Sequence, residues 1–482
     1  METIKNQIKN LSKPAIYTAL CFLYVSIFIL PTFFIPFNIF LYLFGIGFAS
    51  LFILKIPEVG LYTIILCTMV YERFFTLQPI VFDINIYKIY PIDAILLVTF
   101  ISFLIHHFGN LKSKEIKYTR LEIATFIFFL TLVVAVVYSI IKNPDKELAI
   151  ATFKNYSYLL ILFLTIFIIR TKIQFKRIIN VILAGGIILI GFIIYGLASG
   201  NGLWSEFTPG TRYLAQTHTY YLLLPVFIAI VFLTYGKEIY GHIRTQAIIL
   251  IQSTGIIAGL HRHLWLGFGA GLATILLLSD KEKRKIALKN ILSVLLAGLI
   301  IFSLVIWIAA LSNANLNIKA SSYVQRFTER VQSLFTLKSS NIEDAAGWRL
   351  KAWQEGLILY AKNPVLGIGF GKMINVEFKG FVSTVEMRAL HNEPLGLLIQ
   401  AGLLALIPFI IINIYLIKYF IKLYKTKIEE QPELIALFAF YIATMVSMFF
   451  SLYLVTNMLN IFYWIAMGLI VSLYKMYKPE IK

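Results

Sequence analysis

Two cysteines, seven histidines and 24 acidic residues are all that this 482-residue chain has of the side chains that most often carry soluble enzyme chemistry. Cys21 and Cys67 lie inside apolar stretches, so they offer neither a disulfide framework nor the paired spacing of a zinc site. Charged residues are 14% of the chain, about half the share of an ordinary soluble protein. Phosphate-loop, dinucleotide-binding and Asp-rich metal-loop patterns are missing throughout, which removes cytoplasmic nucleotide chemistry.

Apolar residues fill the place of charge. They make up 59% of the chain, with 40 Phe and 27 Tyr, and they occur in runs such as 291–311 that exceed what a buried helix or strand needs. A soluble fold has too much surface to hide this composition, whereas a bilayer accepts it at about 20 apolar residues per span. Soluble enzyme, secreted scaffold and disordered chain are excluded. Residues 1–13 are polar and basic, and the stretch that follows lacks a small-residue cleavage pattern, so it reads as a retained first span. The hydropathy predicts an all-α integral membrane protein. About fourteen spans fall near 14–34, 36–54, 58–71, 90–108, 121–141, 152–170, 177–198, 219–235, 245–260, 264–279, 288–311, 393–419, 433–453 and 457–475. The third and ninth are short, so the count is 12 to 14.

The +19 net charge suggests nucleic acid only in a soluble protein; here it must first be divided between two sides. Basic residues crowd short alternate connections, among them Lys112/Lys114/Lys117/Arg120, Arg170/Lys172/Lys176/Arg177 and Lys281/Lys283/Arg284/Lys285/Lys289. The positive-inside rule places those connections, and both termini, in the cytoplasm. Three regions follow: spans with short loops over 1–311, an extracytoplasmic loop over 312–390, and C-terminal spans over 391–482, all in one membrane domain. The loop, roughly 80 residues, is too long for a plain connection. It carries helical spacing at Val324, Phe327, Val331 and Leu334, and a second helix from about Ala345 to Ala361 that ends at Asn363-Pro364.

Ionisable groups at the outer ends of the spans are the places to look for chemistry, because polar side chains are costly there. The hairpin tip His261-Arg262-His263 puts a guanidinium at membrane level. It reads either as a snorkelling arginine or as a fixed cation for a lipid diphosphate, which its forked donors suit. Arg349 lies between Trp348 and Trp353 on the second loop helix, either solvated or at headgroup level as a phosphate clamp. His391-Asn392-Glu393-Pro394 stands where the loop returns to the membrane, with Pro394 in the first turn of a helix. The positive end of that helix disfavours a protonated histidine, so a neutral His391 is a general-base candidate; interfacial packing is its plainer reading. Glu393 competes for the role of base, and Asn392 could support it. Glu206, Arg212 and His218 in the outer loop 199–218, and Glu72, Arg73 and Asp83 in the loop 71–89, are weaker. A metal held by His218, His261, His263 and His391 is also a weak reading, since neither cysteine nor dense carboxylates accompany them.

Taken in order, Arg262 between two spans, the large outer loop, the Arg349 helix leading to Lys362-Asn363-Pro364-Val365-Leu366-Gly367-Ile368-Gly369-Phe370-Gly371, then His391-Asn392 and Gly402-Leu403-Leu404 form a pattern. Over about 245–406 it resembles the O-antigen ligase and polysaccharide polymerase superfamily of bacterial membrane glycosyltransferases. The resemblance implies a donor glycan on undecaprenyl diphosphate at the outer face of the bacterial inner membrane. It implies that Arg262 and Arg349 engage the diphosphate and that His391 activates the acceptor hydroxyl, with no cofactor and no required metal. The acceptor would be lipid A–core for a ligase, the favoured reading, or a second lipid-linked repeat unit for a polymerase; nucleic acid is not a partner. His261, His263, Asn392, Glu393, Arg212 and His218 are possible supporting residues. A lipid-linked oligosaccharide flippase or other transporter is the rival from another class, but it should show short loops, related halves and mid-span charges.

Overall fold

The structure is a computed structural model; it describes residues 12–29, 38–71, 90–109, 118–143, 145–199, 214–311, 325, 327–329, 331–332, 340–386, 390–427 and 431–478. The N-terminal half runs α1 (Lys13–Ile29), α2 (Ile39–Lys55), α3 (Pro57–Tyr71), α4 (Pro91–Phe108), α5 (Arg120–Lys142), α6 (Lys146–Ser157), α7 (Ile161–Ile168) and α8 (Lys172–Ser199). Then come α9 (Gln216–Tyr221), α10 (Leu223–Tyr235), α11 (His242–Ala258), α12 (Arg262–Leu278) and α13 (Lys281–Leu311). The outer loop supplies α14 (Ser340–Tyr360) and a hairpin of β1 (Met373–Phe378) and β2 (Phe381–Glu386). The chain closes with α15 (Glu393–Lys427), α16 (Glu433–Met448) and α17 (Asn457–Tyr477).

Most of the apolar stretches among the described residues are helical, and the protein is an all-α multi-span membrane protein. Among the described residues seven helices are long and apolar enough to cross a bilayer. Two of these, Gln216–Tyr235 and Met458–Tyr477, are 94% buried and form the centre of the bundle. Pro91–Phe108 is 33% buried and lies at the periphery, where Phe100, Ile105 and Phe108 stay exposed. A large apolar side chain left open costs little only when the solvent is hydrocarbon.

Three of the breaks between and within the described helices position the site. The first is a 3₁₀ turn, Tyr158–Leu160, between α6 and α7. The second is the segment 449–456 between α16 and α17, where helix stops at Met448 and not near 453. The third is Gly402 inside α15, at φ 69° and ψ −169°. An unbroken helix would join Leu403 N–H to Ile399 O and Leu404 N–H to Gln400 O. Here the motif 364–371 lies across the gap and satisfies all four groups. Ile368 and Gly369 donate to the carbonyls of Ile399 and Gln400, both at 2.9 Å, while Leu403 and Leu404 donate to those of Pro364 and Val365 at 3.0 and 3.1 Å. The other edge of this strap is tied to the end of α5. Phe370 N donates to Ser139 Oγ at 2.6 Å, and Asn143 Nδ2 donates to Phe370 O at 2.8 Å.

The outer loop carries a hairpin that helical patterning did not predict. Its strands pair antiparallel from Met373↔Glu386 to Phe378↔Phe381. Lys379 and Gly380, both at positive φ, make the two-residue turn that suits the strand twist. Ile374 and Val376 face inward and join Ala352, Ile368, Leu390 and Ile399 in a small outer core, with Trp348, Trp353 and Tyr360 against it. Of the first expected loop helix, residues 325, 327–329 and 331–332 are helical; Val324, Leu334 and the rest lie outside the described residues.

Gly402→Ala drives a Cβ into the Val365 carbonyl, at a positive φ that L residues avoid. A loss of about 2 kcal/mol or more is expected, read as a lower midpoint of thermal unfolding in detergent. Gly269→Ala, in open space on α12, should be neutral or stabilising by up to about 1 kcal/mol.

Candidate functional site at one end of the bundle

The heads of α12, α15 and α17 and the tail of α16 meet at one end. Ser447 Oγ, in the last turn of α16, donates to His263 O at 3.0 Å, and Tyr453 and Leu454 donate backbone N–H groups to Glu393 Oε2 at 2.7 and 2.9 Å. At the α12 head, Leu260 turns the chain at φ 55° and buried His261 precedes the first helical turn. Arg262 is half-buried there. Trp265 ties this tip back to α11, donating Nε1 to the carbonyls of Ile256 and Ile257 at 3.2 Å. Phe327 of the outer loop packs on Trp265, three residues along α12 from Arg262, with ring centroids 5.7 Å apart.

Arg349 and His391 are brought together by a tryptophan. Trp353, one turn beyond Arg349 on α14, donates Nε1 to Leu390 O at 2.7 Å and holds the residue before His391 against that helix. His391 adopts φ 50°, a left-handed conformation that keeps it off the helical track, and Asn392 caps α15 by accepting from Leu395 N at 3.0 Å. His391 is exposed, yet the surrounding chain removes part of its water and the Arg349 guanidinium stands near. Both effects, desolvation the larger, hold its pKa below the usual histidine value. Partial burial lowers the Arg349 pKa as well, from a level so high that the guanidinium stays charged at neutral pH. The pair is a fixed cation beside a neutral imidazole, which can anchor an anion and accept a proton in one place.

The other sequence-derived residues divide clearly. Glu393, weighed as a rival base, is 1% exposed and accepts from Tyr156 O–H at 3.1 Å in addition to the two backbone donors. It is engaged in holding segments together. His263 faces the Tyr453 ring edge-on, 6.4 Å between centroids, and lies 6.0 Å from the His261 ring. His218 is fully buried in the core, beside Phe192 and Tyr221. Arg212, Glu206, Glu72, Arg73 and Asp83 lie outside the described residues. Among the described residues no three His, Cys, Asp or Glu side chains gather as a metal site would require.

Sequence reasoning placed 449–453 inside a span and left only 454–456 as a connection, so it missed most of the segment 449–456. Five residues from four elements converge on it: Gln216 of α9 donates to Ser451 Oγ at 2.9 Å, Asn155 of α6 donates to Val455 O at 2.8 Å, and Tyr220, also of α9, packs on Tyr453 at 5.0 Å. Glu393 and His263 are the other two contacts. The one available signal was Thr456-Asn457, a polar pair inside an apolar run.

This fold defines a polytopic all-α membrane protein. Residues 247–410 match the family model described as O-Antigen ligase, so this segment is similar to the O-antigen ligase superfamily. The match runs from α11 through the strap and the α15 break, and it includes Arg262, Arg349 and His391. No curated protein matches the chain.

Arg349→Gln is expected to raise the His391 pKa toward the ordinary value by removing the neighbouring cation. The pH dependence of diethyl pyrocarbonate modification at His391, read by mass spectrometry, checks this.

Proposed function

We propose that the protein transfers a glycan from undecaprenyl diphosphate to a sugar hydroxyl at the extracytoplasmic face of the bacterial inner membrane, with both termini in the cytoplasm. The favoured acceptor is lipid A–core, as for an O-antigen ligase; a lipid-linked repeat unit, as for a polymerase, is the alternative. The observation that carries the reading is the pairing of Arg349 with His391 inside the family segment that also holds Arg262.

In this reading Arg262 and Arg349 bind the donor diphosphate. The acceptor hydroxyl attacks the anomeric carbon and its proton passes to His391. The bond from that carbon to the phosphate oxygen breaks, and undecaprenyl diphosphate leaves with the bonding electrons. Guanidinium groups that are already in place stabilise charge growing on the leaving oxygen without reorganisation, and partial exclusion of water strengthens them. The lipid tail fixes the height of the reacting carbon at the headgroups, which reduces the entropic cost of alignment. Two arginines supply the neutralisation that a divalent metal gives elsewhere, so metal independence belongs to the proposal.

The test is reconstitution with an undecaprenyl-diphosphate glycan and either lipid A–core or a second lipid-linked repeat. His391→Ala and Arg349→Ala should each lower transfer by about 10²–10⁴-fold with insertion into the membrane unchanged. Arg349→Lys should recover only part, because the forked donors are lost. Near-normal transfer by either alanine variant removes that residue from the site. A chelator should leave the rate unchanged; inhibition reversed by added zinc would contradict the metal-free mechanism. A cysteine at Lys379 should be labelled from outside the cell, and protection there would contradict the orientation.

A further inference from the structure

Glu393 is a carboxylate buried at the head of a membrane helix, a costly position unless its oxygens are satisfied and put to use. Its three donors come from two other segments: Tyr453 and Leu454 from the 449–456 segment and Tyr156 from the end of α6. Two residues upstream is His391. On the far side of the pinned segment, the Tyr453 ring meets His263, the neighbour of Arg262. A continuous path therefore runs from the imidazole at the α15 head to the arginine at the α12 head, beside the Ser447 tie to His263, and its middle link is one carboxylate.

We propose that Glu393 is a positioning residue: by pinning Tyr453 and Leu454 to the head of α15, it sets the Arg262 tip at its working distance from His391. The claim about distance rests on the glycosyl-transfer reading; the claim about the pin does not. Neither the phenol nor the backbone donors need a negative charge, so an amide oxygen of the same reach retains most of the pin, whereas Ala removes it and leaves two buried N–H groups without acceptors.

The experiment has two arms on the full-length protein in detergent or nanodiscs, with every variant first shown to be monodisperse. In the first arm Gln216→Cys and Ser451→Cys are combined in a background with Cys21→Ala and Cys67→Ala, and disulfide formation reports where the 449–456 segment sits. Cross-linking should be efficient with Glu393 and with Glu393→Gln and at least fivefold slower with Glu393→Ala. Equal rates in all three overturn the pin. In the second arm transfer is measured per folded molecule. Glu393→Ala should lower kcat at saturating donor at least tenfold and move the pH profile, while Glu393→Gln stays within about threefold of the parent. A role confined to folding would lower yield and leave kcat and the pH profile in place, which overturns the proposal. Equal loss in the Gln and Ala variants also overturns it, since the charge and not the geometry would then matter. Inactivity of the parent protein with both acceptors counts against the glycosyl-transfer reading, and the cross-linking arm still decides the pin.

Discussion

The structure depends on how a membrane helix can be broken and still have its backbone satisfied. At Gly402 two helical hydrogen bonds are lost at a depth where water is scarce, and each unpaired group would cost several kcal/mol. The strap 364–371 replaces those two bonds with four, and it can approach so closely only because Gly402, Gly367 and Gly369 lack side chains at positive φ. The break gives α15 a short upper segment, Glu393 to Ala401, that is fixed to the outer loop on one side and to α5 through the strap on the other. His391 inherits its position from that segment.

Around this fixed head the polar groups are distributed by role. Residues that hold are buried and fully engaged, such as Glu393 with its three donors and Ser139 and Asn143 beneath the strap. Residues available for chemistry are half-buried or exposed, and they are cationic or neutral. A neutral imidazole beside a guanidinium suits a reaction that binds an anion and then removes a proton from a hydroxyl. A carboxylate in the same place would repel the diphosphate of the proposed donor; Glu393 is instead turned into the fold, toward the Tyr453 and Leu454 N–H groups and the Tyr156 hydroxyl.

Much of the fold was legible in the sequence because hydrocarbon length dictates span length, and most of the apolar stretches among the described residues are helical. The Arg262 tip, the Arg349 helix and the α15 head were legible for a related reason: charge at a span end stands out against apolar surroundings. The hairpin was hidden because its alternation, Met373-Ile374-Asn375-Val376, is short and follows a long helical pattern; the Lys379-Gly380 turn was its one strong local signal. The 449–456 segment was hidden because Leu452, Tyr453, Leu454 and Val455 are as apolar as a span, and only tertiary contacts keep them out of a helix. The function of the Gly-rich motif could not be read from spacing either, since it lies in backbone groups of a distant helix. His218 shows the converse: outer placement in sequence did not keep it from the core.

Binding of the lipid diphosphate itself tests the central claim most directly. Native mass spectrometry of the purified protein with undecaprenyl diphosphate, and with undecaprenol as the uncharged control, reads it without any acceptor or turnover. The account requires a diphosphate adduct that resists competition by phospholipid, weakens at least tenfold in Arg262→Gln or Arg349→Gln, and has no counterpart with undecaprenol. An adduct equally strong in the parent and the Arg262→Gln/Arg349→Gln double variant would contradict it.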